Sequence, residues 1–202
     1  MSAARQFPSE FVDRLIAGDG QAFNELVDQT SGGIYGLGLR MLGNAQDAED
    51  MLQETFLKAH NALRGFEKRS SLYTWLYRIA TNEALMMLRR RKTEFHFDPE
   101  PATQEEAENG EEVVDWCCLP EQVFISEETR SELTRAVAKL SKALRMVFLL
   151  RDVRGFSTRE TAEILQVNEE VVKTRLVRAR VKLRDELSGY FRERLQGQGN
   201  NG

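Results

Sequence analysis

Residues 149–183 read LLRDVRGFSTRETAEILQVNEEVVKTRLVRARVKL, and the fold turns on this stretch. Ser157-Thr158-Arg159-Glu160 fits a reciprocal capping box, in which a hydroxyl and a carboxylate each satisfy an amide left free at a helix start. Leu165-Gln166-Val167-Asn168 supplies a break of turn length. Asn168 suits the cap of a second helix, with Glu169 and Glu170 at its positive pole. Val172, Leu176, Ala179, Leu183 and Leu187 then form an inward stripe at helical spacing. A helix-turn-helix needs a small residue where its first helix crosses the second, and an apolar residue early in the second. Ala162 and Val172 occupy those places. The turn has no glycine, so Gln166 must accept a left-handed or distorted backbone at some cost.

The second helix turns Lys173, Thr174, Arg175, Arg178, Arg180, Lys182 and Arg184 outward, with no acid between Glu170 and Asp185. A merely solvated helix normally mixes signs. A face of one sign suits duplex DNA: Lys173 and Thr174 reach base edges in the major groove and Val177 meets a thymine methyl. Arg178 and Arg180 lie further along and clamp phosphates, which adds affinity without sequence information.

Upstream, apolar spacing marks further helices through Leu133, Val137 and Leu140, then Leu144, Val147 and Phe148. Residues 1–92 read as helical throughout. Ser9 is placed to cap a first helix carrying Phe11, Val12, Leu15 and Ile16, which Gly18 and Gly20 stop. A second carries Phe23, Leu26 and Val27, meets a weak point at Gly32-Gly33 and resumes to Leu42, before Gly43-Asn44 breaks the pattern. A third presents Ala48, Leu52, Phe56, Ala59 and Leu63 inward and Asp47, Glu49, Asp50, Gln53 and Glu54 outward. That acidic face repels DNA and suits a basic protein surface. A fourth runs from about Leu72 into Arg89, Arg90, Arg91 and Lys92. Before it, Arg64-Gly65-Phe66-Glu67-Lys68-Arg69-Ser70-Ser71 and Leu72-Tyr73-Thr74-Trp75-Leu76-Tyr77-Arg78 interleave aromatics with cations, a mixture that suits an unpaired base stacked on a ring while cations hold the backbone. Trp75 and Tyr77 are expected in the core. The chain is therefore read as all-α, two small helical domains.

The net charge of −4 is unevenly spread. From Thr93 to Thr129 there is no Lys or Arg, and twelve acids stand there. Those twelve outweigh the net charge, so the remainder of the molecule is basic: two cationic bodies on an acidic strap. Pro99, Pro101, Asn109 and Gly110 and the lack of periodicity mark the strap as an unfolded linker, apart from an apolar patch at Trp116 to Leu119. Its acids are placed to mimic nucleic acid or to cover the basic bodies in the free protein.

Several function classes are excluded. A composition of 41% hydrophobic and 30% charged residues over 202 fits a soluble globular chain. No run approaches the roughly 20 apolar residues of a membrane span, and MSAARQFPSE lacks the apolar centre of a signal peptide, so no membrane insertion and a cytoplasmic location are expected. The only cysteines, Cys117 and Cys118, are adjacent, which rules out a disulfide framework. His60 and His96 fall in separate segments without ligand spacing, and no metal or cofactor is expected. No carboxylate cluster, nucleophile pair or phosphate-cradling loop points to an enzyme.

The run at 47–66, DAEDMLQETFLKAHNALRGF, then YTWLYRIATNEALMMLRRR at 73–91, LPEQ at 119–122 and finally the stretch at 149–183 resemble, in this order, the extracytoplasmic-function (ECF) group of sigma-70-type RNA polymerase sigma factors. The resemblance implies sigma region 2 over residues 1–92 and a region 4 helix-turn-helix over 129–195, outside which lie the acidic linker over 93–128 and a Gly-rich end over 196–202 read as a disordered tail. It implies a non-enzymatic protein that brings core RNA polymerase to promoters. Asp47, Glu49, Asp50, Gln53 and Glu54 would dock on the beta-prime coiled coil. Phe66, Lys68, Ser70, Ser71, Tyr73 and Asn82 would meet the melted minus-10 element. Lys173, Thr174, Arg175, Val177, Arg178 and Arg180 would read the minus-35 duplex, with region 4 also meeting the beta flap. Control by an anti-sigma factor and a role in a stress or envelope response are implied as well. Lys68 stands where the family commonly has glycine. The rival reading, a duplex-binding regulator that works without polymerase, leaves the aromatic loop and the acidic helix without a role.

Overall fold

The computed structural model describes residues 7–94 and 127–198, with side chains described for 7–91 and 131–188. Among the described residues there is helix and turn and no strand. Helix α1 spans Ser9–Ile16, α2 Gly20–Leu42, α3 Ala45–Ala62, α4 Leu72–Glu94, α5 Glu127–Lys139, α6 Lys142–Phe148, α7 Thr158–Leu165 and α8 Glu169–Gln198. Most of the acidic linker, with His96, Trp116, Cys117 and Cys118, lies outside the described residues. Helix α8 runs to Gln198, into the segment read as a tail.

The caps explain most boundaries, with one correction. Pro8, not Ser9, precedes α1: its ψ of 147° is extended, its carbonyl accepts from the Val12 amide at 3.1 Å, and Ser9 becomes the first helical residue. Proline's fixed φ makes that extended-to-helical entry cheap. Phe7 stacks on Phe11 at 5.0 Å and sets the entry angle. Asp19 caps α2 by accepting from the Gln21 and Ala22 amides at 2.9 and 3.3 Å. The hydrogen bond from Arg14 first, then those amides, holds its carboxyl below the ordinary carboxylate range. Asn44 caps α3 through the Asp47 amide at 2.8 Å, and Ser71 caps α4 through that of Thr74 at 3.0 Å.

Helix α2 does not weaken at Gly32-Gly33. Leu26, Thr30, Ile34, Leu37 and Met41 are buried in a continuous stripe, each aliphatic side chain contributing about 2 kcal/mol of apolar burial against about 1 kcal/mol for a helical glycine. The glycines serve close approach instead. A Cβ on Gly38 would come within 2.8 Å of Met51 Cε on α3, and one on Gly33 within 2.5 Å of Tyr77 Oη on α4. In α3 the buried residues are Ala48, Met51, Thr55, Phe56 and Ala59, so Met51 and Thr55 share the inward face with a half-buried Leu52. Trp75 and Tyr77 are buried as expected.

In the second half α6 leads into a π-type turn over Leu149–Val153. The capping box at Ser157 forms in full: its hydroxyl accepts from the Glu160 amide at 3.1 Å and its amide donates to the Glu160 carboxylate at 2.7 Å. Gln166 takes the left-handed conformation required of it, φ 55° and ψ 44°. Asn168 caps α8 through the Val171 amide at 2.9 Å. Val147, Ala162, Val172 and Leu176 form one apolar cluster beneath the crossing. The two helical units, α1–α4 and α5–α8, pack on each other through α4 against α7 and α2 against α5 and α6.

Candidate nucleic-acid interface

Because Val172, Leu176, Ala179 and Leu183 are buried, α8 is rotated so that Lys173, Thr174 and Val177 face solvent and Arg175, Arg178 and Arg180 lie half-buried at the flanks. Val177 is 41% exposed, unusual for a valine and suited to an apolar contact. Lys173 pairs with Glu170 at 3.3 Å on the exposed surface, a bond too weak to hold it back from a base edge. Arg180 is placed differently. Its Nε and Nη2 donate to the two carboxylate oxygens of Asp152 at 3.0 and 2.9 Å, tying α8 to the π-type turn. Sequence reasoning missed Asp152, since the pair spans the whole helix-turn-helix and only the folded turn brings it near.

The loop between α3 and α4 builds a second surface. Phe66 is buried with its ring 5.1 Å from Trp75. Lys68 has φ 57°, the left-handed backbone that favours glycine, and its ammonium pairs with Asp13 of α1. Arg69 pairs with Glu67 at 2.6 Å. Ser71 is spent on the α4 cap, and Tyr73 stacks on Tyr77 at 4.7 Å. Asn82 is exposed one helical turn beyond Arg78. Phe66, Ser70, Trp75, Arg69 and Arg78 line a cavity of about 390 Å³, with Glu163 of α7 at its wall. Two rings and two guanidinium groups thus share this lining with the carboxylates of Glu67 and Glu163, and rings beside cations suit a flat base and its phosphate. Of the predicted loop residues, the structure brings Phe66 and Ser70 to this cavity. Arg69, Trp75 and Arg78 join them, residues whose aromatic and cationic interleaving was visible but whose convergence was not.

The third surface is α3. Glu49, Asp50, Gln53 and Glu54 are exposed along it, and Leu57, 56% exposed, continues the same face. An apolar side chain rimmed by charges is the anatomy of a protein interface. Leu57 was overlooked, although its place three and four residues after Glu54 and Gln53 was a legible signal. Asp47 stands apart: it pairs with Arg91 and accepts from the Asn44 amide nitrogen at 2.6 Å, and Arg91 also donates to the Leu42 carbonyl at 3.0 Å. It joins α3 to α4. Among the described residues no group of histidine, cysteine or carboxylate side chains could hold a metal, and no helix is long and apolar enough to cross a membrane.

Comparison with known proteins bears on the family of the two helical units. Residues 26–94 match the family model for Sigma-70 region 2, and residues 130–183 that for Sigma-70, region 4. The chain is 36% identical over 176 residues to the ECF RNA polymerase sigma factor SigW of Bacillus subtilis, covering 87% of this chain and 94% of that protein. It is 33% identical over 187 residues to the RNA polymerase sigma-H factor of Pseudomonas aeruginosa, covering 91% and 95%. It is 35% identical over 184 residues to the ECF RNA polymerase sigma-E factor of Escherichia coli K12, covering 90% and 94%. The fold is similar to that of CnrH in its complex with the cytosolic domain of CnrY, with a TM-score of 0.62 at 23% identity over 89% of this chain and 96% of that one. RpoE of Bartonella quintana, in complex with the anti-sigma factor NepR, gives 0.61 at 23% identity over 82% and 96%. Both halves of the sigma architecture are thus present in their family order, and the chain belongs to the sigma-70 family of RNA polymerase sigma factors, within the ECF group.

Proposed function

We propose that this chain docks on core RNA polymerase through the exposed face of α3, reads a minus-35 duplex with α8 and captures a melted minus-10 base in the α3–α4 cavity. The observation that carries the reading is the meeting of Phe66 and Trp75 with Arg69 and Arg78 in the lining of that cavity, in a chain that also carries a cationic helix α8. Duplex binding alone has no use for such a cavity.

The proposed roles follow the exposure of each side chain. Lys173, Thr174 and Val177 are the base readers, Arg175 and Arg178 the phosphate contacts, and Arg180 serves phosphate while braced by Asp152. Phe66, Ser70, Arg69 and Arg78 hold the melted strand, with Lys68, Tyr73 and Asn82 beside it and Ser71 shaping the loop. Glu49, Asp50, Gln53, Glu54 and Leu57 meet the beta-prime coiled coil, Asp47 orienting that helix from within. Region 4 also meets the beta flap. The phosphodiester chemistry belongs to polymerase, and the chain works in the cytoplasm, under an anti-sigma factor and in a stress or envelope response. The domain limits follow the same plan: region 2 over 1–92, linker over 93–128, region 4 over 129–195.

The test is core binding. Reversing Glu49, Asp50 and Glu54 to lysine is expected to weaken binding of purified core polymerase at least about tenfold, since like charges juxtaposed across an interface cost several kcal/mol. Circular dichroism should stay unchanged, because all three side chains are exposed. Undiminished core binding by the triple variant refutes the docking assignment.

A further inference from the structure

We infer that Asp13 of α1 is a specificity-determining residue for the minus-10 element that acts at one remove: it clamps Lys68, and the clamp sets the loop that presents Glu67, Arg69 and Ser70 to the melted strand. This rests on the function proposed above and deepens it at the same site. Residues 67–70 bridge the buried Phe66 to Ser71, whose hydroxyl caps α4. Both ends of the bridge are fixed, and its path turns on Lys68, which stands at φ 57°. A residue with a side chain takes that backbone at a cost, because its Cβ crowds the following carbonyl. The Lys68 ammonium is held by the Asp13 carboxylate, 55 residues earlier in the chain. Asp13 is a firm anchor. Phe11, Val12 and Leu15 bury the other side of α1, Arg14 ties that helix to Asp19 at 2.6 Å, and Asp19 caps α2.

The lining of the cavity shows what the clamp does. Glu67, Arg69 and Ser70 enter the lining and Lys68, which stands between them, does not. Lys68 is therefore a positioning residue and not a strand contact. Its neighbours Glu67 and Arg69 pair at 2.6 Å, so the turn at Lys68 sets an acceptor and a donor side by side in the lining. Shifting that turn changes which edge of a base they meet. The side chains of Lys68 and Asp13 are 42% and 60% exposed, so their pair biases the loop by roughly threefold, enough to move a base preference and too little to govern folding.

The test is run-off transcription by core polymerase with limiting full-length chain. The templates are a promoter mapped from the chain's own transcripts and copies of it with single-base changes in the minus-10 element. Asp13→Asn removes the charge and Asp13→Glu keeps it. Asp13→Asn is expected to lower output from the mapped element about threefold and to narrow its lead over the altered copies. Thermal stability and the response to minus-35 changes should stay as in the wild type. Asp13→Glu should preserve the lead. Lys68→Gly adopts φ 57° without a clamp, so Asp13→Asn should add nothing in that background. A lysine that touched the strand predicts the opposite sign: freed by Asp13→Asn, it would raise output and steepen its fall with salt. That result, an unchanged lead in Asp13→Asn, or an equal loss in the Lys68→Gly background would each overturn the inference. Failure of the wild type to select any start site would instead overturn the proposed function.

Discussion

Gln166 carries the sharpest local signal in the molecule. The caps on either side of it, Ser157 with Glu160 and Asn168, fix where one helix ends and the next begins, and the residue between them has nowhere to go but the left-handed region. A Cβ there is strained. Gln166→Gly should therefore raise stability, by about 0.5–1 kcal/mol, because glycine adopts φ 55° without that strain although it adds freedom to the unfolded chain. Urea denaturation checks this, and a loss of stability contradicts it. Lys68 repeats the pattern at φ 57°. Its pairing with Asp13 could not be read from the sequence, because it depends on α1 folding back beside the loop.

Along α8, the division proposed between base readers and phosphate contacts rests on the helix's rotation. The buried stripe of Val172, Leu176, Ala179 and Leu183 was legible at helical spacing, and it fixes which side chains face out. Lys173→Ala should weaken one minus-35 sequence selectively and leave stability unchanged, since its partner Glu170 is a surface residue. Arg180→Ala should weaken all templates, lower the salt dependence of binding, and also cost about 1 kcal/mol of stability, because a half-buried bidentate pair with Asp152 is lost. Competition binding over a randomised duplex and thermal melting separate the two. Equal selectivity losses would contradict the assignment. Helix periodicity revealed the cations, but not the carboxylate that holds one of them.

At the scale of the molecule, an acidic helix face, an aromatic and cationic loop and a basic helix were all legible as local composition and spacing. Their helical frame was too, apart from the start of α1 and the continuity of α2 through Gly32-Gly33. What composition could not reveal was mutual placement. The cavity draws Phe66 and Trp75 from the two sides of a turn and Glu163 from the other helical unit. The seat of Arg154 on Gly33 and Gly36 likewise exists only once α2 and the turn before α7 meet. On the proposed function these surfaces act together on polymerase. Run-off transcription by core RNA polymerase on a library of genomic fragments tests it most directly. Adding the purified chain should produce discrete start sites that share a minus-35 and a minus-10 element. Transcripts that are the same with and without the chain would contradict the account.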